Sequence, residues 1–241
     1  MRKFLVAVLA LIFLASTAFA GSFFKKSEDV ANKVKDAAVE GAKEAVEEEL
    51  SAFDSEVKEL AKPYKDLVEG SKEWLSAKTD VWNGYESADA LVDKLADKAG
   101  SNLKKRVKAQ IKKIDAAKKL VAFGESAKKT EVEGILAWQF QNLGYVYIKE
   151  IKTLTNYQER MDAIADLNKE KKYKEKKDLI EETKNELRKY EKEISLAAKN
   201  MVKASQLHNS MEKKDSTYAL RGKRIESNLS WIDWVQNFIK K

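Results

Sequence analysis

The chain has no cysteine, one histidine, one proline and only nine glycines in 241 residues. Without cysteine, disulfides, Cys–His catalytic pairs and lipid attachment at a bacterial lipobox are excluded. A single histidine excludes the usual zinc motifs and the paired Glu-x-x-His ligands of di-iron bundles. Gly-rich phosphate loops are also missing. We therefore predict a protein that is not an enzyme and that needs no metal or other cofactor.

The scarcity of proline and glycine also bears on the fold, because these two residues interrupt regular structure. Alternating Val, Ile and Thr runs bounded by turns are missing, whereas Ala, Glu, Lys and Leu are abundant. The sequence thus predicts an all-α fold. We expect an elongated antiparallel bundle of about five to seven helices, several of them long and coiled-coil-like, forming a single domain over residues 21–241.

The first twenty residues have the pattern of a secretory signal peptide. Two basic residues precede an apolar run from Phe4 to Ala15, and Ala18-Phe19-Ala20 provides small residues for cleavage. The alternative, an uncleaved membrane anchor, is disfavoured because the apolar segment is at the short limit for spanning a bilayer. We predict cleavage after Ala20 and a periplasmic or extracellular protein.

Charge is distributed unevenly along the chain. Residues 21–100 hold 12 Lys and Arg against 19 Asp and Glu, whereas residues 101–241 hold 32 against 20. An acidic segment followed by a basic one suggests either an internal electrostatic match or an anionic partner.

Two stretches have the 4-3 apolar spacing of coiled-coil helices. The first is Val46–Leu67, whose spacing continues through Pro63. Either the helix kinks there or a new helix begins with Pro63, and a kinked or end-to-end arrangement is slightly favoured over a chain reversal. The second, Ile180–Met211, predicts one helix of roughly 45 Å at 1.5 Å per residue. Between them, the stretch Val132–Leu154 has apolar residues on nearly all sides and predicts the most buried helix. Met161, Ile164 and Leu167 are expected to extend this helix.

Local signals place several boundaries. Asn83-Gly84 predicts a turn, and Ser87 is expected to cap a short helix. Ser101 is expected to cap the next helix, which Gly124 ends. A capping box at Thr130 is expected to open the central helix.

The helix predicted over Leu103–Lys119 is strongly basic. Its lysines suit an anionic surface such as lipid headgroups or an extracellular polymer. The alternative is an intramolecular match with the acidic run around Glu40–Glu49. We select as candidates for anionic-surface contact Lys104, Lys105, Arg106, Lys108, Lys112 and Lys113.

The end of the chain combines aromatic residues with lysines, as membrane-interface segments do. The candidates for membrane-interface contact are Trp231, Trp234, Phe238, Lys240 and Lys241. The alternative is that this helix simply buries a wide apolar face in the bundle.

His208 lies on the second heptad seam, with Met201 and Met211 nearby and Met161 on another helix. A His–Met pair on facing helices can ligate haem in a four-helix bundle, and the alternative is a partly buried histidine with methionines filling gaps.

The sequence thus favours an exported, non-enzymatic helical protein that acts through its surface, with a protein partner or self-association. A peripheral membrane or lipid-binding protein is the first alternative, and a b-type haem carrier is the second. No nucleic-acid partner is expected, because no binding motif accompanies the basic surface.

Overall fold

The computed structural model describes residues 52–96, 102–125, 129–211 and 213–240. Within them the chain is all-helical, with eight helices and no strand, so the predicted fold class is confirmed and the helix number is slightly exceeded. The chain divides into two compact units, residues 1–67 and 68–241. The first twenty residues and the acidic run Glu40–Glu49 lie outside the described residues, and the single-domain organisation stays a prediction.

In the described part of the first unit, a helix spans residues 52–61 and a 3-10 turn follows at Lys62–Tyr64. Pro63 lies in this turn, where its missing N–H costs no helical hydrogen bond. Of the two alternatives at Pro63, the structure therefore shows no kink within one helix, and Pro63 lies in the first turn of a new, short 3-10 helix. The helix ends before the proline, because a proline inside it would clash with the preceding turn.

The described part of the second unit contains seven α-helices. They are α1 (Lys72–Ala96), α2 (Leu103–Phe123), α3 (Lys129–Leu154), α4 (Tyr157–Lys169), α5 (Tyr173–Arg188), α6 (Glu191–Ser210) and α7 (Tyr218–Lys240). The helix α3 packs most extensively on α6 and also on α2, while α1 packs on α2 and α7 on α6. The shorter α4 and α5 form a hairpin.

Contacts between helices show that α2 runs antiparallel to both α1 and α3. Lys78 near the start of α1 pairs with Glu125 just after α2, at 2.7 Å. Arg106 near the start of α2 pairs with Glu150 near the end of α3, at 3.1 Å. Short connections favour this arrangement because they return the chain alongside the preceding helix.

The helix α3 is the most buried element, as its apolar residues on all sides predicted. Twelve of its residues are buried, among them Leu136, Ile148 and Ile151. Gly144 lets α6 approach closely, since a Cβ there would lie 2.9 Å from the Cε of Met201 and 3.1 Å from the carbonyl oxygen of Ala197.

The boundary predictions gave mixed results. Gly124 ends α2 in the left-handed conformation, as expected, at φ 65°. The N-cap of α2 is Asn102, whose side chain accepts a hydrogen bond from the Lys104 amide. Ser101 lies outside the described residues. The structure does not begin α3 with a Thr130 cap, because residue 129 is already helical.

Three other expectations were wrong. Residues Asn83, Gly84 and Ser87 lie inside the continuous helix α1, where a lone glycine is tolerated at a modest cost. The extension of α3 is interrupted at Asn156, which adopts φ 47°. The seam Ile180–Met211 is divided between α5 and α6 at Lys189 and Tyr190, whose amides bond three residues back rather than four.

Candidate functional site

Five exposed lysines follow one side of α2, and we call them the lysine stripe: Lys104, Lys105, Lys108, Lys112 and Lys119. At 3.6 residues per turn they fall within an arc of about 100°. Asp115 lies in the same arc, and its carboxylate is 3.7 Å from the ammonium of Lys118. Within the described ranges no carboxylate forms an ion pair with the stripe lysines. The stripe is therefore a concentrated positive surface.

The other two basic candidates of α2 face the interior of the unit. Arg106 is half-buried and pairs with Glu150 at 3.1 Å. Lys113 is buried, forms an ion pair with Asp89, and lies 5.7 Å from the ring centroid of Tyr85. Burial holds the pKa of Lys113 below its ordinary value. These two cations fix α2 against α1 and α3, so they are not part of the exposed surface.

A buried polar network further fixes the orientation of α2. The amide of Gln110 donates to the side-chain oxygen of Gln139 at 3.0 Å and to its backbone oxygen at 3.1 Å. Gln139 in turn donates to the Tyr85 hydroxyl at 3.1 Å. Burial, followed by the negative charge of Asp93, raises the pKa of Tyr85 to about 12. Because buried polar groups are costly when unpaired, this network holds α2 in the rotation that exposes the stripe.

The aromatic candidates of α7 join a residue that the sequence did not single out. Tyr157, at the start of α4, makes edge contacts with Trp231 and Trp234 at centroid distances of 5.7 and 5.8 Å. Trp234 stacks on Phe238 at 4.8 Å. These four residues form what we call the aromatic patch. Trp234 is 37% exposed.

One lysine, Lys152, borders the aromatic patch. The ammonium of Lys152 lies 4.8 Å from the Trp231 ring centroid and 5.7 Å from that of Tyr157, within the range of cation–π attraction. Burial lowers the pKa of Lys152. Lys240 is exposed at the end of α7, and Lys241 lies outside the described residues. An adjoining face of α7 is buried, through Arg221, Ile225, Ile232, Val235 and Ile239.

The sequence reasoning missed Arg221, which is completely buried. Its guanidinium forms an ion pair with Asp215 at 2.9 Å and donates to the hydroxyl of Thr217 at 3.1 Å and the carbonyl of Gly134 at 3.3 Å. The available signal was its spacing, since Arg221 continues the buried positions of α7 one turn before Ile225. These contacts tie the α6–α7 connection to α3.

His208 belongs to the same cluster. Its Nδ1 accepts a hydrogen bond from the Nε of Arg221 at 3.2 Å, and its ring stacks on Tyr218 at 3.8 Å. A Cβ at Gly222 would lie 2.9 Å from Nε2, so both ring nitrogens face protein atoms. The sulfur of Met211 accepts a hydrogen bond from Arg221 at 3.0 Å. For His208 to bind haem, it would first have to leave these contacts.

Among the described residues, no group of three or more His, Cys, Asp or Glu side chains is arranged to hold a metal ion. None of the helices there combines the length and apolar character that crossing a bilayer requires.

Comparisons with protein families, curated proteins and solved structures found no match to this chain. The lysine stripe and the aromatic patch are consequently the features that bear on function.

Proposed function

We propose that this protein is an exported, non-enzymatic helical protein that acts through its surface, and that the lysine stripe of α2 binds an anionic partner. The observation that supports it most is that the basic residues of α2 fall into two groups. Arg106 and Lys113 form ion pairs with Glu150 and Asp89, whereas the five lysines of the stripe lie on the other side of the helix and are exposed.

The physical argument concerns charge density. Like charges on one helix face repel one another, which is a cost unless counterions or a partner neutralise them. From Lys105 to Lys119 the stripe lysines recur at intervals of three, four and seven residues, so several of them face the same direction. A polyanion that spans this face gains from releasing its own counterions when it binds.

Heparin, a polyanion without a bilayer, provides the probe. In the double variant Lys108→Gln/Lys112→Gln, we expect affinity for immobilised heparin to fall about tenfold at low salt. The slope of log affinity against log salt concentration should decrease by about two, because each phosphate-like contact releases about one counterion.

The matched control is Lys174→Gln/Lys177→Gln on α5, which removes the same charge from two other exposed lysines. It should leave the affinity and the salt slope close to those of the parent. Equal losses in both double variants would show that net charge alone is responsible, and would reject the stripe as a site.

The aromatic patch supports a second candidate, a peripheral membrane protein. Trp and Tyr beside lysines suit the bilayer interface. Trp234 is 37% exposed, and Lys152 lies 4.8 Å from the ring centroid of its neighbour Trp231. This surface would bind a bilayer without requiring anionic lipid.

Vesicles of phosphatidylcholine alone test this candidate separately from the stripe. If the patch enters the interface, Trp234→Ala should weaken partitioning about tenfold, from the loss of roughly 1–2 kcal/mol of apolar burial. Leu220→Ala is the control, because Leu220 is 50% exposed near the other end of the same helix. Absence of flotation by the parent protein would eliminate the candidate.

We also propose that the protein is elongated and coiled-coil-like and that it self-associates, as expected from the sequence. The first stretch with coiled-coil spacing is Val46–Leu67, and in its described part Phe53 is buried and Val57 and Leu60 are partly buried. Light scattering during size-exclusion chromatography measures the mass and thus decides between a monomer and a self-paired chain.

A further inference from the structure

The corner between α6 and α7 contains the only histidine of the chain, in a setting that opposes its protonation. We propose that this corner is an acid-sensitive latch, in which protonation of His208 breaks its hydrogen bond with Arg221 and opens the connection around Asp215. The inference goes beyond the proposed function, since neither the lysine stripe nor the aromatic patch takes part in it.

The hydrogen-bond geometry determines the closed state. Arg221 is always a donor, so the Nδ1 that faces its Nε at 3.2 Å must be an acceptor. The proton of the neutral ring therefore sits on Nε2, against Gly222. A second proton can only go on Nδ1, where it would face the N–H of Arg221. Two donors and two positive charges would then meet in a buried position.

Among the described residues, the charged groups that act on His208 are Arg221, Lys214 and Asp215. Burial is the largest factor that lowers the pKa of His208, and the charges of Arg221 on α7 and Lys214 in the connection act in the same direction. Asp215 opposes them, yet its carboxylate is engaged by Arg221 and Thr217. The helix α3 contributes the Gly134 carbonyl, which bonds Arg221 rather than His208. Tyr218 stacks on the ring at a centroid distance of 3.8 Å.

The sign of the effect follows from linkage. An open corner leaves His208 in water with the ordinary pKa near 6.5, whereas the closed corner has a lower pKa. The open state thus binds the proton more tightly. The closed state is fully favoured above the ordinary pKa and loses stability as the pH falls below it, until the pH reaches the lower pKa of the closed state.

Opening would affect a limited part of the chain. Arg221 would lose the acceptor of its Nε, and the contacts of Asp215 and Thr217 that depend on its position would weaken. These contacts hold residues 213–217 and the first turn of α7, so we expect those amides to become accessible to solvent.

Two measurements test the latch. Because the chain has one histidine, its imidazole NMR signals report His208 directly, and they should titrate below the ordinary value. Hydrogen exchange gives the second readout. Protection of residues 213–222, corrected for intrinsic exchange, should fall about tenfold for each pH unit between the ordinary and the depressed pKa. Protection of α1 should not change over the same range.

The variant His208→Gln keeps an oxygen that can accept from Arg221 but cannot be charged. In it the exchange of residues 213–222 should become independent of pH between about 7.5 and 5. An unchanged pH response in this variant would overturn the latch. So would a titration of His208 at the ordinary value in the full-length parent, a result that does not depend on how the variant folds.

Discussion

Replacing Arg221 with alanine is expected to lower the free energy of unfolding by about 3–5 kcal/mol, the usual cost of removing one partner from a buried ion pair. Arg221 has no exposed surface and satisfies Asp215, Thr217, Gly134 and His208 at once. Alanine leaves these groups without their donor and leaves a cavity in place of the side chain. Urea unfolding followed by circular dichroism provides the measurement.

Arg224→Ala supplies the control on the same helix. Arg224 is exposed, and its guanidinium lies 5.2 Å from the Trp138 ring centroid, so its loss should cost no more than about 1 kcal/mol. The double variant Asp215→Ala/Arg221→Met should be more stable than Arg221→Ala, because it removes both charges and keeps the volume of the longer side chain. A cost below about 1 kcal/mol for Arg221→Ala would show that the cluster is not structurally important.

The fold class was predictable because the pattern that determines it is local. The apolar residues around α3 and the glycine after α2 act within one or two helical turns, and both predictions agree with the structure. The helix breaks were harder to predict. Asn156 and the pair Lys189–Tyr190 interrupt sequences whose apolar spacing continues, so packing against other helices determines where the chain turns.

The candidate surfaces also combine features that local sequence determines with features that packing determines. Exposure of Lys104 or Lys108 follows from their position on the polar side of α2. Lys113 lies outside the arc of the stripe, and its pairing is set by packing, because Asp89 approaches from a different helix. Tyr157 was missed as a member of the aromatic patch for a similar reason, since about 75 residues separate it from Trp231 and only packing brings them together.

Glycines inside helices also test the packing between helices, because an alanine there adds a Cβ that needs space. Gly84 and Gly134 both lie inside helices, where alanine is intrinsically better by about 0.5–1 kcal/mol. A Cβ at Gly84 would meet nothing within 4 Å, so Gly84→Ala should stabilise the protein by about that amount. A Cβ at Gly134 would overlap the Oδ2 of Asp215 and lie 3.0 Å from the Nη1 of Arg221.

Gly134→Ala is therefore expected to destabilise the protein by about 2–4 kcal/mol, because the lost ion pair outweighs the gain in helix propensity. The carboxylate of Asp215 must withdraw, which leaves Arg221 charged and buried. If this is the cause, Gly134→Ala should cost less in an Asp215→Ala background, where nothing remains to be displaced. Equal costs in the two backgrounds, measured by urea unfolding, would instead assign the effect to strain between α3 and α7. A stabilisation as large as that of Gly84→Ala would contradict the close approach itself.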